Sequence, residues 1–144
     1  MIRVAVLEDE QLAREDIVRM ISRYPELKLT GVFRTAKEFS KHIKEFDVAF
    51  IDIRLPFESG LNVAKKLRGI GIVFVTAYEQ YAARAFEIGA IDYLVKPVSE
   101  ERFDICVERL IQAYSKPLIK LPVKEGENIL MLSFDKVFYI EAFW

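Results

Sequence analysis

The chain has little of what many functional classes need. It carries one cysteine, Cys106, and one histidine, His42, among 144 residues. A single cysteine excludes an intramolecular disulfide and fits a reducing compartment. A single histidine excludes a histidine cluster around a metal. The 21 Lys and Arg are set against 22 Asp and Glu, for a formal net charge of −1. No surplus of positive charge therefore marks a surface for nucleic acid or anionic membrane. No apolar run approaches the ~20 residues of a membrane-spanning helix. The first residues enter an apolar, strand-like run directly, which predicts no secretory leader. These absences predict a cytoplasmic protein with no membrane partner. What is present, 52% hydrophobic and 30% charged residues, is an ordinary globular composition. The length suits one well-cored domain with a little left over.

Four short apolar runs each end on a different polar residue. Ile2-Arg3-Val4-Ala5-Val6-Leu7 leads into Glu8-Asp9, and Val48-Ala49-Phe50-Ile51 leads into Asp52. Ile72-Val73-Phe74-Val75 leads into Thr76, and Ile91-Asp92-Tyr93-Leu94-Val95 leads into Lys96-Pro97. β-Branched and aromatic runs of this kind predict strands buried on both faces of a parallel sheet. A fifth segment, Leu27–Phe33, alternates apolar and polar residues and predicts a less buried strand at a sheet edge.

Between these runs the apolar spacing is helical. Ala13, Ile17, Met20, Ile21 and Tyr24 share one face of a first helix. Ala36, Phe39, Ile43 and Phe46 do so for a second, with Thr35 as its N-cap. Leu61, Ala64 and Leu67 mark a third after a Pro56…Gly60 loop, and a fourth runs from about Glu79 to Ile88 and stops at Gly89. Phe103, Val107, Leu110, Ile111 and Tyr114 mark a fifth, capped by Ser99. Regular strand–helix alternation to about residue 115 implies an α/β, doubly wound, five-stranded parallel sheet. The flavodoxin-like (CheY-like) order 2-1-3-4-5 places the weak second strand at an edge.

In such sheets the ligand crevice lies beyond the carboxyl ends of the strands. Three carboxylates, a hydroxyl and an ammonium would thus converge on one rim. A carboxylate there can attack phosphorus, which makes Asp52 the nucleophile candidate. Glu8 and Asp9 supply hard oxygen ligands suited to Mg²⁺. Lys96 offsets negative charge in a transferring phosphoryl group, and Thr76 can donate its hydroxyl to a phosphoryl oxygen. Whether the Lys96-Pro97 bond is cis stays open in the sequence. His42 reads as a solvated side chain, and Cys106 as a small, partly buried one.

These residues carry a resemblance. Val6-Leu7-Glu8-Asp9-Glu10, Phe50-Ile51-Asp52-Ile53-Arg54-Leu55-Pro56 with Ser59-Gly60, Phe74-Val75-Thr76-Ala77-Tyr78 and Ala85–Pro97 are similar to a response-regulator receiver domain. The resemblance covers about the first 115 residues, expected as domain 1–115. It implies Asp52 as phosphoacceptor, Glu8 and Asp9 as Mg²⁺ acids, and Thr76 and Lys96 as phosphoryl contacts. It also implies a metal ligand in the Arg54 main-chain carbonyl, a switch aromatic in Tyr93 that turns from exposed to buried, and a sensor histidine kinase as partner.

The wording around Thr76 and Lys96, with Leu121-Pro122-Val123-Lys124-Glu125-Gly126 and Val137–Ala142, resembles the LytTR subgroup of transcription regulators. Residues 116–144 are therefore expected to be a linker and the opening β-strands of a LytTR-type DNA-binding domain. The strand candidates are Leu118–Val123, Ile129–Phe134 and Val137–Ile140. Lys116, Lys120, Lys124 and Lys136 are balanced by Glu125, Glu127, Asp135 and Glu141, so DNA contact is expected only from the part of that domain beyond Trp144. The apolar content of this segment predicts a homodimer. Two other readings are a phosphorylation-independent receiver serving as an interaction module, and a phosphohydrolase with an aspartyl nucleophile. The phosphohydrolase usually carries a second Asp two residues after the nucleophile, where this chain has Arg54.

Overall fold

Strands of the expected kind form because their apolar side chains find cover on both faces. A computed structural model describes residues 1–115. β1 (Ile2–Leu7), β2 (Leu27–Phe33), β3 (Val48–Ile51), β4 (Gly71–Thr76) and β5 (Asp92–Val95) build one sheet in the order β2-β1-β3-β4-β5. Every pairing is parallel, as the sequence predicts. Alternate residues face opposite layers. Val4, Val6, Val48, Phe50, Val73 and Val75 pack under α1 (Gln11–Ile21) and α5 (Glu100–Ser115). Ala5, Leu7, Ala49, Ile51, Ile72 and Phe74 face the layer of α2 (Ala36–Ser40), α3 (Gly60–Lys65) and α4 (Ala82–Glu87). Phe50 stacks on Phe103 of α5 at 5.8 Å between centroids. Among the described residues no helix is long and apolar enough to cross a membrane. The strand candidates within 118–140 lie outside the described residues.

Four local features depart from the sequence reading. The alternation in β2 does not keep to one face. Leu29 stands opposite Val4 but Gly31 stands opposite Ala5, so Thr30 is an extra residue and the strand bulges. Leu27 and Leu29 therefore serve one core and Phe33 the other. The second helix is split. Thr35 caps it as expected by accepting the Glu38 N–H, but Ser40 Oγ turns back onto the Ala36 carbonyl at 2.8 Å and α2 stops there. A 3₁₀ turn (Ile43–Glu45) follows, which leaves Ile43 exposed while Phe39 and Phe46 stay buried. The fourth helix likewise opens with a 3₁₀ turn, Glu79–Tyr81, and ends where Gly89 takes φ +89°. His42 is only partly solvated, since its ring stacks on Phe33 at 5.2 Å and Nδ1 lies 2.9 Å from Glu45.

Cys106 is more deeply placed than the sequence suggests. It is fully buried, and burial pushes its thiol up, away from the nucleophilic thiolate. Beside it lies an acid inside an apolar strand. Asp92 is fully buried; it accepts from Arg102 Nη1 at 3.0 Å, Arg102 Nη2 at 2.6 Å and Arg109 Nη1 at 2.7 Å. Burial alone would raise its pKa, but the Arg102 bonds, the Tyr93 N–H and the Arg109 charge hold it below the ordinary carboxylate value. Asp92 thus ties the start of β5 to both ends of the facing part of α5.

A carboxyl with a depressed folded-state pKa stabilises the fold above its unfolded pKa, and that stabilisation is lost as pH falls through the depressed value. Asp92→Asn should cost about 1–3 kcal/mol at neutral pH through its charge-assisted bonds. In urea titrations the gap between Asp92→Asn and the parent should narrow below about pH 4. An equal gap at pH 7 and pH 3 would refute this account of the clasp.

Candidate functional site

The rim at the carboxyl end of the sheet is built by strands that stop together. Asp52 N–H bonds to the Leu7 carbonyl at 3.0 Å, so the end of β3 is held level with the end of β1. Glu8 continues β1, its own N–H bonded to the Phe33 carbonyl of β2 at 3.0 Å. Lys96 follows β5 and donates its N–H to the Thr76 carbonyl of β4 at 2.8 Å. The Lys96–Pro97 bond is cis.

Four of the expected residues meet by measured distance. Glu8, Asp9 and Asp52 each offer a carboxylate oxygen within 4.8 Å of the others. Glu8 and Asp52 are buried, whereas Asp9 is exposed. Lys96 Nζ donates to Glu8 Oε1 at 2.7 Å and to Asp52 Oδ2 at 3.3 Å. Burial is the largest influence on Glu8 and raises its pKa; the Lys96 bond opposes this and the Asp52 charge adds to it. For Lys96, burial works against the ammonium, but the Glu8 bond and the Asp52 charge outweigh it and hold its pKa up. The crevice therefore contains a fixed cation between two carboxylates.

Thr76 is fully buried at the end of β4, and its Oγ1 accepts the Tyr78 N–H at 3.4 Å. Arg54 lies on the loop after β3; its N–H reaches Asp52 Oδ1 at 3.4 Å. Tyr93 is buried rather than exposed. Its ring lies 6.3 Å from Phe74 and its hydroxyl donates to the Tyr78 carbonyl. Burial is the main cause that raises its pKa. The position expected of the switch aromatic after phosphorylation is the one this structure shows.

Several contributors were not apparent in the sequence. Arg14 of α1 donates from Nη1 to the Glu8 and Asp9 carbonyls, both at 3.1 Å, and so fixes the loop carrying the two acids. Nothing in its residue type or spacing announces this. The Arg54 guanidinium covers the Tyr78 ring at 4.3 Å. On the same loop Phe57 takes φ +71°, rare for a bulky residue, with its ring in solvent.

Gly60 has a steric reason. A Cβ built there would stand 2.0 Å from the Asp52 carbonyl oxygen and 2.9 Å from Ile53 Cα. The first residue of α3 thus supports the backbone of Asp52, joined by the Gly60 N–H to the Ile53 carbonyl at 2.7 Å. Gly60→Ala should destabilise the fold by at least about 1–3 kcal/mol, because the clash is with backbone that cannot rotate away. It should also shift the amide resonances of Asp52 and Ile53. A melting temperature and spectrum matching the parent would show that this contact is not needed.

The receiver-domain signature of response regulators matches residues 4–108. The sensory transduction protein LytT of Oceanobacillus iheyensis is 37% identical over 94% of this chain and 61% of its own length. The transcriptional regulatory protein BtsR of Salmonella typhi is 33% identical over 99% of this chain and 66% of its own. The chain thus spans less than two thirds of the length of both curated relatives. The solved response regulatory domain of MrkE from Klebsiella pneumoniae superposes with a TM-score of 0.74 at 29% identity, covering 80% of this chain and 99% of that one. The match over residues 4–108 covers most of the chain, and the chain belongs to the response regulator receiver domain family.

Proposed function

We propose that the chain is the phosphoacceptor part of a two-component response regulator and that Asp52 takes a phosphoryl group from a sensor histidine kinase. The observation that carries this reading is the Lys96 ammonium held between Glu8 and Asp52 beside Asp9. Asp52 Oδ forms the new bond to phosphorus while the bond from phosphorus to the kinase imidazole nitrogen breaks, leaving its electron pair on that nitrogen. Lys96 stays within reach of Asp52 and meets the negative charge of the transferring group. Thr76 is placed at the end of β4 to give its hydroxyl to a phosphoryl oxygen.

Three carboxylates against one ammonium leave two negative charges where a phosphoryl donor must approach. The donor set is all oxygen, part buried and part open to water, which fits Mg²⁺, an ion that keeps several waters and takes one or two carboxylates. Glu8, Asp9, Asp52 and the Arg54 main-chain carbonyl would hold it. When bound it would neutralise charge on the phosphoryl oxygens.

The phosphorylated site then acts on Tyr93. A phosphoryl anion draws the Thr76 hydroxyl toward Asp52 and favours the inward Tyr93, changing the surface of α4, β5 and α5. The likeness to LytT and BtsR supports transcriptional output, with 1–115 as receiver and 116–144 as linker and opening strands of a LytTR-type DNA-binding domain. DNA contact would come from the part of that domain beyond Trp144. Homodimer formation through the apolar residues of 117–144, and a cytoplasmic setting, belong to the same reading.

Asp52→Asn keeps size and hydrogen bonding but removes the nucleophilic charge. Labelling with acetyl phosphate should require Mg²⁺ and vanish in this variant; equal labelling of Asp52→Asn would overturn the assignment of the acceptor.

Thr76→Ala should still accept phosphate at Asp52, yet the Tyr93 ring resonances should no longer respond to phosphorylation. A full Tyr93 response in Thr76→Ala would remove Thr76 from the switch.

A further inference from the structure

Tyr78 stands where separate parts of the site meet. Arg54, two residues beyond Asp52, lays its guanidinium carbon 4.3 Å from the Tyr78 ring centroid. The Tyr78 N–H is directed to Thr76 Oγ1 at 3.4 Å, and its carbonyl accepts the Tyr93 hydroxyl. The Tyr81 ring meets it edge-on, 6.4 Å between centroids. One residue between β4 and α4 is thus held by its ring from the β3 loop and holds Tyr93 by its carbonyl.

A guanidinium within about 6 Å of an aromatic centroid is attracted to the ring face. Arg54 can exert that pull at a fixed place because its own backbone is anchored, with its N–H directed to Asp52 Oδ1 at 3.4 Å. A planar cation also stacks where an ammonium only points. The backbone of Tyr78 is extended (φ −112°, ψ 112°) and enters a short 3₁₀ turn. Rotation of this peptide would turn the carbonyl away and leave the buried Tyr93 hydroxyl without its acceptor, a costly state for a buried donor.

We propose that Arg54 is a positioning residue for the switch: stacked on Tyr78, it holds the loop after β4 so that the Tyr78 carbonyl keeps Tyr93 inward before any phosphoryl group arrives. The Arg54–Tyr78 contact then sets the resting ratio of sheltered to exposed Tyr93, and with it the basal output of the receiver. This last step rests on the proposed role of Tyr93; the structural coupling does not need Asp52 to react.

The test uses the full chain labelled with 3-fluorotyrosine, free of any phosphodonor, with the Tyr93 ¹⁹F resonance assigned by its loss in Tyr93→Phe. Broadening by a soluble paramagnetic agent reports exposure. Arg54→Met keeps an apolar stem without the cation, and Tyr78→Leu removes the ring but keeps the carbonyl. Each should raise the exposed-to-sheltered ratio by about two- to five-fold, the size expected of one exposed cation–π contact. The double variant should go no further than Tyr78→Leu, which already removes the Arg54 contact together with the Tyr81 edge contact. Arg54→Lys should restore part of the sheltering. Unchanged exposure in Arg54→Met, or additive effects in the double variant, would overturn the proposal. Failure of Asp52 to take phosphate would sink the receiver mechanism and leave this outcome standing.

Discussion

Two carboxylates almost withdrawn from water share one ammonium at the rim of the sheet, and the rest of the site is arranged around that fact. The side chains of Glu8 and Asp52 are 4% and 9% exposed, and Lys96 Nζ touches both. Unit charges about 4 Å apart at an effective dielectric near 20 interact by about 4 kcal/mol, so the two acids alone would repel one another strongly. Lys96 offsets part of that repulsion. A buried ion pair adds little net stability once desolvation is counted, so the arrangement points to chemistry rather than to holding the fold together. It also sets a geometric demand. β4 lies between β3 and β5, so the Lys96 stem must cross the end of β4, which carries the small, buried Thr76.

Meeting that demand requires strand ends that are level and cannot slip. The central strands are apolar on both faces, and a shift by one residue would exchange the side chains of the two cores. Val4, Val6, Val48 and Phe50 could not replace Ala5, Leu7, Ala49 and Ile51 without overfilling one layer and emptying the other. Register is thereby fixed by volume, and with it the level of Glu8 and Asp52. β2 stands outside this constraint. As an edge strand it tolerates a bulge at Thr30, which lets Phe33 join the layer of Phe39 and Phe46.

The fold and the rim acids were legible in the sequence because both follow from single-residue patterns. Largely apolar runs ending in Glu8, Asp52, Thr76 and Lys96 mark parallel strands and their carboxyl ends, and the order 2-1-3-4-5 suits the weak run at 27–33. What escaped depends on pairs distant in sequence. Arg14, Arg54 and Tyr78 are ordinary surface types whose partners are set by loop conformation, and periodicity carries no record of such contacts. The split of the second helix was hidden because Phe39, Ile43 and Phe46 have helical spacing, whereas the Ser40 back-bond onto Ala36 is a local competitor of the helix. Asp92 did leave a mark, an acid inside the run Ile91–Val95, and a buried carboxylate there demands cations such as Arg102 and Arg109.

The buried Tyr93 bears on how the proposed switch would work. A ligand shifts an equilibrium only by its differential affinity for the two states, and the inward Tyr93 is the arrangement that the proposed phosphoryl group would favour. Its hydroxyl has an acceptor in the Tyr78 carbonyl and its ring has a neighbour in Phe74, so turning outward would forfeit both contacts and expose aromatic surface. On the proposed reading, phosphorylation at Asp52 would then deepen this preference through Thr76. In that proposal, the side chains that set the resting balance would matter to signalling as much as the acceptor. They belong to the loops after β3 and β4, where sequence can vary without disturbing the strands that carry the chemistry.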